Sequence, residues 1–138
     1  DDDLETLVLK CLAKDPDNRY QSAGEIREAL ESLAEEGKIR YYGWSTDDLE
    51  WARFFALGPH CTAIEHRLNI MMDAPAMLAL CDELDLASIN RIPLAMGMLS
   101  GRWTRNTVHI MPVFGEQGGL LEHAVFVVFD VVSHVDDL

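Results

Sequence analysis

The chain has 138 residues, of which 49% are hydrophobic and 25% are charged. This composition is typical of a globular domain and too apolar for a disordered chain. The 24 acidic residues outnumber the 11 lysines and arginines, so the formal net charge is −13 at pH 7. Because a chain this acidic lacks the basic surface that binds phosphate backbones, nucleic acids are not expected as partners. No apolar run approaches the roughly 20 residues that a membrane-spanning helix needs, so no membrane partner is expected either.

Cysteine usage favours a cytoplasmic protein. Cys11, Cys61 and Cys81 are odd in number and lack the CxxC spacing of metal and redox sites, so we expect free thiols in a reducing compartment. The chain opens on three aspartates, without the basic and apolar regions of a signal peptide. We therefore expect a cytoplasmic location.

The first segment, residues 1–35, has the pattern of a helical hairpin. Apolar residues recur at helical spacing, and Pro16 is expected to end the first helix. The stretch Ser22-Ala-Gly-Glu25 has the form of a capping box, in which the serine hydroxyl accepts from the Glu25 amide and the carboxylate reaches back. We expect a continuous second helix from about Ser22 to Glu36. The stripes predicted to face inward are Leu4, Leu7, Val8, Cys11 and Leu12, followed by Ile26, Ala29, Leu30 and Leu33.

Residues 7–30 of this segment resemble the last helices of the C-lobe of a protein kinase, especially the bacterial serine/threonine type. In that family the arginine at the Arg19 position pairs with a buried glutamate; without that partner, Arg19 is expected to be solvated. The Gly-rich loop, the phosphate-binding lysine and the catalytic and metal-binding aspartates of kinases have no counterpart, which excludes kinase activity. The matching residues are Cys11-Leu12, Lys14-Asp15-Pro16, Arg19-Tyr20, Ser22-Ala23 and Glu25.

The second segment, residues 36–105, alternates strand and helix patterns. Three β-branched or aromatic runs, at residues 38–44, 62–71 and 87–94, are separated by two helical patterns. The first helix is expected to begin after Asp47-Asp48 and the second at Asp73-Ala-Pro75. Strand, helix, strand, helix, strand is the order of βαβ units on a parallel sheet. The residues expected inside the two helices are Trp51, Ala52, Phe54 and Phe55, and Met77, Leu78, Cys81 and Leu84.

Residues 36–104 resemble the later part of an aldo/keto reductase, a (β/α) barrel enzyme that uses NADPH. GKIRYYGWS (residues 37–45) is similar to the fifth barrel strand and its turn, and AIEHRLN (63–69) to the sixth strand. INRIPLAMGMLSG (89–101) is similar to the seventh strand and its loop, and its Pro-Leu-x-x-Gly-x-Leu-Ser-Gly pattern is the most specific of the three. We therefore predict an α/β fold: a partial (β/α) TIM-type barrel segment behind the N-terminal helical hairpin.

The resemblance implies part of an NADP site. In the family, Ser45 would hold the nicotinamide carboxamide, and Glu65 stands where a glutamine usually shares that role. A carboxylate accepts hydrogen bonds but, unlike an amide, does not donate to the carboxamide oxygen. The loop after the third strand would approach the cofactor pyrophosphate, because its glycines allow backbone amides to close on phosphate oxygens. Its predicted cofactor-binding residues are Leu94, Met96, Gly97, Leu99 and Gly101.

No catalytic residue and no metal ligand is predicted. The family draws its catalytic tyrosine, lysine, aspartate and histidine from the second to fourth strands, which this resemblance does not include. Tyr41 and Tyr42 lie inside a strand and are expected in the core or the barrel wall. The spacing of His60-Cys61 and His66 matches no standard zinc pattern. Turnover by the chain alone is not expected.

The third segment, residues 106–138, resembles no family that we recognise. Residues 107–114 and 124–132 have strand patterns around a glycine-rich turn, which allows a C-terminal β-hairpin. Two classes of function follow. One is an oxidoreductase-like protein that keeps part of an NADPH site. The other is a non-catalytic fusion or interaction protein, including a remnant of a serine/threonine kinase, that self-associates through the open edges of a three-stranded sheet.

Overall fold

The computed structural model describes residues 2–102 and the strand at residues 126–131. Two 3-10 segments, Pro16–Asn18 and Ala95–Ser100, join the regular elements. No helix in these ranges is long and apolar enough to cross a membrane. The helices are α1 (Asp2–Cys11), α2 (Ala23–Glu35), α3 (Leu49–Phe55) and α4 (Pro75–Glu83), and the strands are β1 (Ile39–Ser45), β2 (Cys61–Arg67), β3 (Ala87–Arg91) and β4 (Phe126–Val131).

The predicted N-terminal pair of helices is present, but the first helix is shorter than expected. Helix α1 ends at Cys11, and Pro16 begins the 3-10 segment instead of ending the helix. Leu12 therefore follows the helix, and its side chain is 71% exposed, contrary to its predicted inward position. Leu7 is the buried residue of the α1 stripe, whereas Leu4 and Cys11 are partly buried and pack against the core.

Helix α2 confirms the predicted continuous helix. Ser22 is its N-cap and Glu36 its C-cap. The Ser22 hydroxyl accepts a hydrogen bond from the Glu25 amide at 3.2 Å, as a capping box requires. The Glu25 carboxylate accepts from the amide of Gln21 at 3.0 Å, one residue further back than predicted. Ile26, Leu30 and Leu33 form its buried stripe.

Arg19 is not the solvated side chain that the sequence predicted. Its Nε donates to the carbonyl of Ala13 at 2.8 Å, and the side chain is partly buried. The arginine thus bridges the end of the α1 segment and the turn before α2. An acceptor on the backbone takes the place of a carboxylate partner.

The predicted parallel sheet is present. Strands β1, β2 and β3 are parallel neighbours, and the sheet order is β3-β2-β1-β4. Strand β2 ends at Arg67 and β3 at Arg91, so both are shorter at their carboxyl ends than the sequence patterns indicated. These three strands and the intervening helices form a βαβαβ unit, and the described residues do not close a barrel.

Strand β4 pairs with one of the two sheet edges that were predicted to be open, so that part of the prediction was wrong. It pairs antiparallel with β1, from Ile39 opposite Val131 to Trp44 opposite Phe126. The N–H and C=O groups along the outer side of β1 thereby find partners, which an exposed edge lacks. The other half of the predicted C-terminal hairpin, at residues 107–114, lies outside the described residues. In the described ranges, the outer side of β3 pairs with no strand.

Helices and sheet enclose one core. Asp48 caps α3 by accepting from the Glu50 and Trp51 amides, and Phe55 of this helix stacks on Trp44 of β1 with ring centroids 3.6 Å apart. Leu84, the residue that caps the carboxyl end of α4, is 37% exposed instead of inward. The buried residues of the core are Leu7, Ala23, Ile26, Leu30, Leu33, Ile39, Tyr42, Trp44, Ala52, Phe55, Cys61, Ile64, Met77, Leu80 and Cys81.

Candidate functional site

Three residues form a row across the carboxyl half of the parallel sheet. Ser45 of β1 pairs with Glu65 of β2, which pairs with Ile89 of β3. Because side chains alternate along a strand, this row faces away from the preceding row, in which Trp44 packs on helix α3. The structure therefore brings the two residues predicted to contact the nicotinamide, Ser45 and Glu65, to adjacent positions on one face.

Ser45 has an unsatisfied hydroxyl. Its side chain is buried, with 6% of its surface exposed, and Oγ has no hydrogen-bond partner in the part of the chain that the structure describes. Glu65 is partly exposed, and its backbone carbonyl accepts from the Thr46 amide at 2.9 Å. A buried hydroxyl without a partner costs free energy that a ligand's amide or carbonyl would recover.

An aspartate and two arginines form the next layer toward the carboxyl ends of the strands. Asp47 Oδ2 accepts from Nε of Arg67 at 2.5 Å and from a terminal nitrogen of Arg91 at 2.7 Å. Asp47 Oδ1 accepts from the Arg67 backbone amide at 2.7 Å. Burial raises the pKa of Asp47, but these hydrogen bonds and the two positive charges outweigh it and hold the pKa below its usual value. Asp47 thus ties the ends of three strands together.

The predicted phosphate-binding loop follows β3 as a kinked 3-10 segment. Gly97 and Gly101 have φ values of 93° and 74°, a region that favours glycine. Leu94 and Met96 are exposed, by 56% and 39%, and Leu99 is partly buried. Within the described residues, no hydrogen bond joins this loop to Ser45 or Glu65.

The loop is instead anchored to the end of β2. The amide of Leu68 donates to the carbonyl of Arg91 at 3.4 Å, and Asn69 Nδ2 donates to the carbonyl of Ile92 at 3.1 Å. The loop that the resemblance assigns to phosphate therefore starts beside the Asp47 cluster, at the end of the sheet where parallel α/β folds bind their ligands.

A second polar cluster was not expected from the sequence. Glu31 of α2 accepts from the Tyr42 hydroxyl at 2.7 Å and lies 2.6 Å from His60 Nδ1. Burial raises the pKa of Glu31, but the hydrogen bonds from Tyr42 and His60 lower it further than burial raises it. In the sequence, the only feature that could have indicated this cluster was the position of Glu31 beside the buried stripe of α2.

The two tyrosines of β1 lie in different environments. Tyr42 is fully buried, and burial followed by the hydrogen bond to Glu31 raises its pKa. Tyr41 is 47% exposed, so of the two only Tyr42 lies in the core. A phenol whose proton is held by a carboxylate stabilises the fold, and it is poorly suited to protonate a substrate.

The histidines and Cys61 do not converge. His60 faces Glu31, whereas His66 is buried with Nε2 2.7 Å from Ser88 Oγ. Burial raises the pKa of Cys61 to about 11, which keeps it a thiol. Among the residues that the structure describes, no group of three or more His, Cys, Asp and Glu side chains is arranged to hold a metal ion.

Comparison with known proteins gives one family. The sequence model of the aldo/keto reductase family matches residues 9–112, three quarters of the chain. This match also includes most of the helical segment that resembles a kinase and the start of the third segment. Neither the comparison with curated proteins nor that with solved structures gave a match. With its parallel βαβαβ unit and this match, the chain belongs to the aldo/keto reductase family.

Proposed function

We propose that the chain binds NADPH through half of an aldo/keto reductase cofactor site and does not reduce a carbonyl by itself. The observation that carries this proposal is the buried hydroxyl of Ser45, which lies beside Glu65 and has no partner in the described part of the chain. The hydroxyl can donate to or accept from a carboxamide, and the carboxylate can accept from the carboxamide nitrogen. These two groups fit the nicotinamide end of the cofactor.

The pyrophosphate would lie against the loop of Leu94, Met96, Gly97, Leu99 and Gly101. Gly97 and Gly101 turn the backbone through left-handed conformations. An added Cβ at Gly101 would have no heavy atom within 4 Å, so the local space is open. When bound, NADPH would supply a hydride. The residues of this chain would hold the cofactor at its nicotinamide and phosphate groups.

The absence of turnover follows in this proposal from the missing proton donor. Hydride transfer to a carbonyl needs a positioned acid for the developing alkoxide. The family takes that acid and the groups that tune it from strands outside the resemblance. The hydroxyl of Tyr42, the buried tyrosine of β1, donates its hydrogen bond to Glu31 of helix α2 instead.

Titration with NADPH tests the cofactor site. We expect saturable binding, followed by nicotinamide fluorescence, and at least tenfold weaker binding by Gly97→Val. Valine strains a position whose φ is 93° and crowds the approach of phosphate. NADH, which lacks the additional phosphate, serves as the comparison ligand.

Gly24→Ala is the matched control, because Gly24 lies in helix α2, remote in sequence from the loop, and a Cβ there meets only ordinary contacts. It should bind NADPH as the unmodified chain does. Absence of binding at millimolar NADPH, with the fold intact by circular dichroism, would refute the cofactor proposal.

A second candidate function is association through the free edge of β3. Ala87, Ser88 and Asn90 are exposed, and in the described ranges the outer side of this strand pairs with no other strand. Unpaired N–H and C=O groups along such an edge favour pairing with another strand, including β3 of a second copy. Because β4 occupies the opposite edge, β3 is the edge that we propose for pairing.

Adding charge to this edge tests association. The unmodified chain should form dimers whose share rises with concentration in sedimentation velocity, and Asn90→Glu should shift the dissociation constant upward by at least fivefold. Like charges brought together at a paired edge repel. Ala79→Glu adds the same charge at an exposed position of α4 and should leave the dimer unchanged. Monomers at all concentrations would argue against this function.

A further inference from the structure

Two arginines from neighbouring strands lie side by side at the carboxyl ends of the strands. Arg67 and Arg91 are register partners at the carboxyl ends of β2 and β3. Both guanidinium groups contact the same oxygen, Asp47 Oδ2, at 2.5 and 2.7 Å. Two like charges this close repel unless anions compensate both of them.

One carboxylate compensates only one of the two positive charges. The three side chains therefore carry a net charge of about +1 in a chain of net charge −13. Glu65 lies two residues before Arg67 on the same face of β2, deeper in the sheet. An anion that arrives from the carboxyl ends of the strands meets the arginines before it meets Glu65.

The cluster also keeps a donor without an acceptor. Nε of Arg91 is buried and makes no hydrogen bond to any described residue, although the side chain as a whole is 33% exposed. Arg67 is 47% exposed, so solvent reaches its guanidinium group. A buried donor without a partner costs free energy, which an incoming acceptor would offset.

A second unmet group lies in the row below. Ser45 is more than nine-tenths buried, its Oγ has no hydrogen-bond partner among the described residues, and it directly precedes Thr46 and Asp47. This end of the sheet therefore combines two guanidinium groups with two polar groups that have no hydrogen-bond partner among the described residues: the Nε–H of Arg91 and the hydroxyl of Ser45. The combination suits a small ligand that carries both a charged oxygen pair and a neutral polar group.

We propose that Arg67 and Arg91, positioned by Asp47, form a binding site for the carboxylate of a small carbonyl compound. A planar guanidinium fork matches the two oxygens of a carboxylate. The net charge of about +1 matches a monoanion better than a dianionic phosphate. That this compound would lie beside a bound nicotinamide rests on the proposed NADPH function; the carboxylate site itself does not.

Binding of pyruvate to the full chain tests this site without measuring activity. Pyruvamide has the same shape with a neutral amide in place of the carboxylate, and inorganic phosphate supplies a tetrahedral anion. In nitrogen-15 NMR spectra, pyruvate should shift the side-chain Nε–H signals of Arg67 and Arg91 saturably, and pyruvamide should not. Equal shifts with pyruvamide or phosphate, or no shift with pyruvate, would overturn the proposal.

Variants then identify the residues. Arg91→Gln and Arg67→Gln should each weaken pyruvate binding at least tenfold in calorimetry. Arg53→Gln is the control, because Arg53 pairs with Glu83 between helices α3 and α4, away from the sheet end. An equal loss in the Arg53 variant would overturn the assignment. If an arginine variant fails to fold, the NMR shifts of the unmodified chain still decide.

The same samples separate the two proposals. Pyruvate binding without NADPH binding would refute the cofactor site and leave the carboxylate site intact. NADPH binding without pyruvate binding would refute the carboxylate site alone.

Discussion

Replacing Phe55 with alanine is expected to lower the free energy of unfolding by about 3–5 kcal/mol, the range for buried aromatic residues. Phe55 is fully buried, and its ring stacks on Trp44 with an angle of 10° between the planes. The stack joins helix α3 to strand β1, so its loss leaves a cavity between helix and sheet. Urea unfolding followed by tryptophan fluorescence measures the change.

Leu57→Ala is the control for this substitution. Leu57 lies two residues beyond Phe55 and is 74% exposed, so its truncation should change the unfolding free energy by less than about 0.5 kcal/mol. Similar, small changes in both variants would show that the contact between α3 and β1 contributes little to stability.

Replacing Glu31 with alanine should destabilise the fold by about 1–3 kcal/mol, because it leaves a buried hydroxyl without its acceptor. Tyr42 is fully buried and donates to Glu31 at 2.7 Å, and the His60 ring lies against the same carboxylate. Glu28→Ala, at an exposed position of the same helix, is the control.

The contribution of Glu31 should depend on pH. Its pKa is lowered in the folded chain, so the unfolded chain takes up a proton first as the pH falls. The stabilisation is therefore complete above the unfolded pKa of about 4.3 and is lost as the pH falls through the lower folded value. The difference in the free energy of unfolding between the unmodified chain and Glu31→Gln should become smaller below about pH 4. A difference that is constant from pH 7 to pH 3 would contradict this account.

Local patterns predicted most of the elements because their causes are local. The Ser22 cap and the apolar stripe of Ile26, Leu30 and Leu33 predicted α2 to within a residue. The alternation of strands and helices predicted the parallel order of β1, β2 and β3. The placement of Ser45 and Glu65 next to each other follows from that order, since parallel strands end at one edge.

Contacts between distant residues were not predicted. The pairing of β4 with β1 depends on which edge is free, and the hydrogen bond between Arg19 and Ala13 depends on the path of the turn. The Glu31 cluster joins residues from a helix, a strand and a loop. No periodicity in the sequence encodes any of these contacts.

The sequence by itself determined the family resemblance, the helical start and the parallel βαβαβ unit, and it suggested by resemblance the residues that we propose to hold NADPH. Hydrophobic periodicity, capping residues and family motifs act over short stretches and can be read directly. The tertiary structure alone decided that the Ser45 hydroxyl is buried without a hydrogen-bond partner in residues 2–102 and 126–131, and that β4 covers one sheet edge. It also decided that Arg67 and Arg91 meet on Asp47, because only the register of the strands brings side chains so far apart in the chain within hydrogen-bond distance.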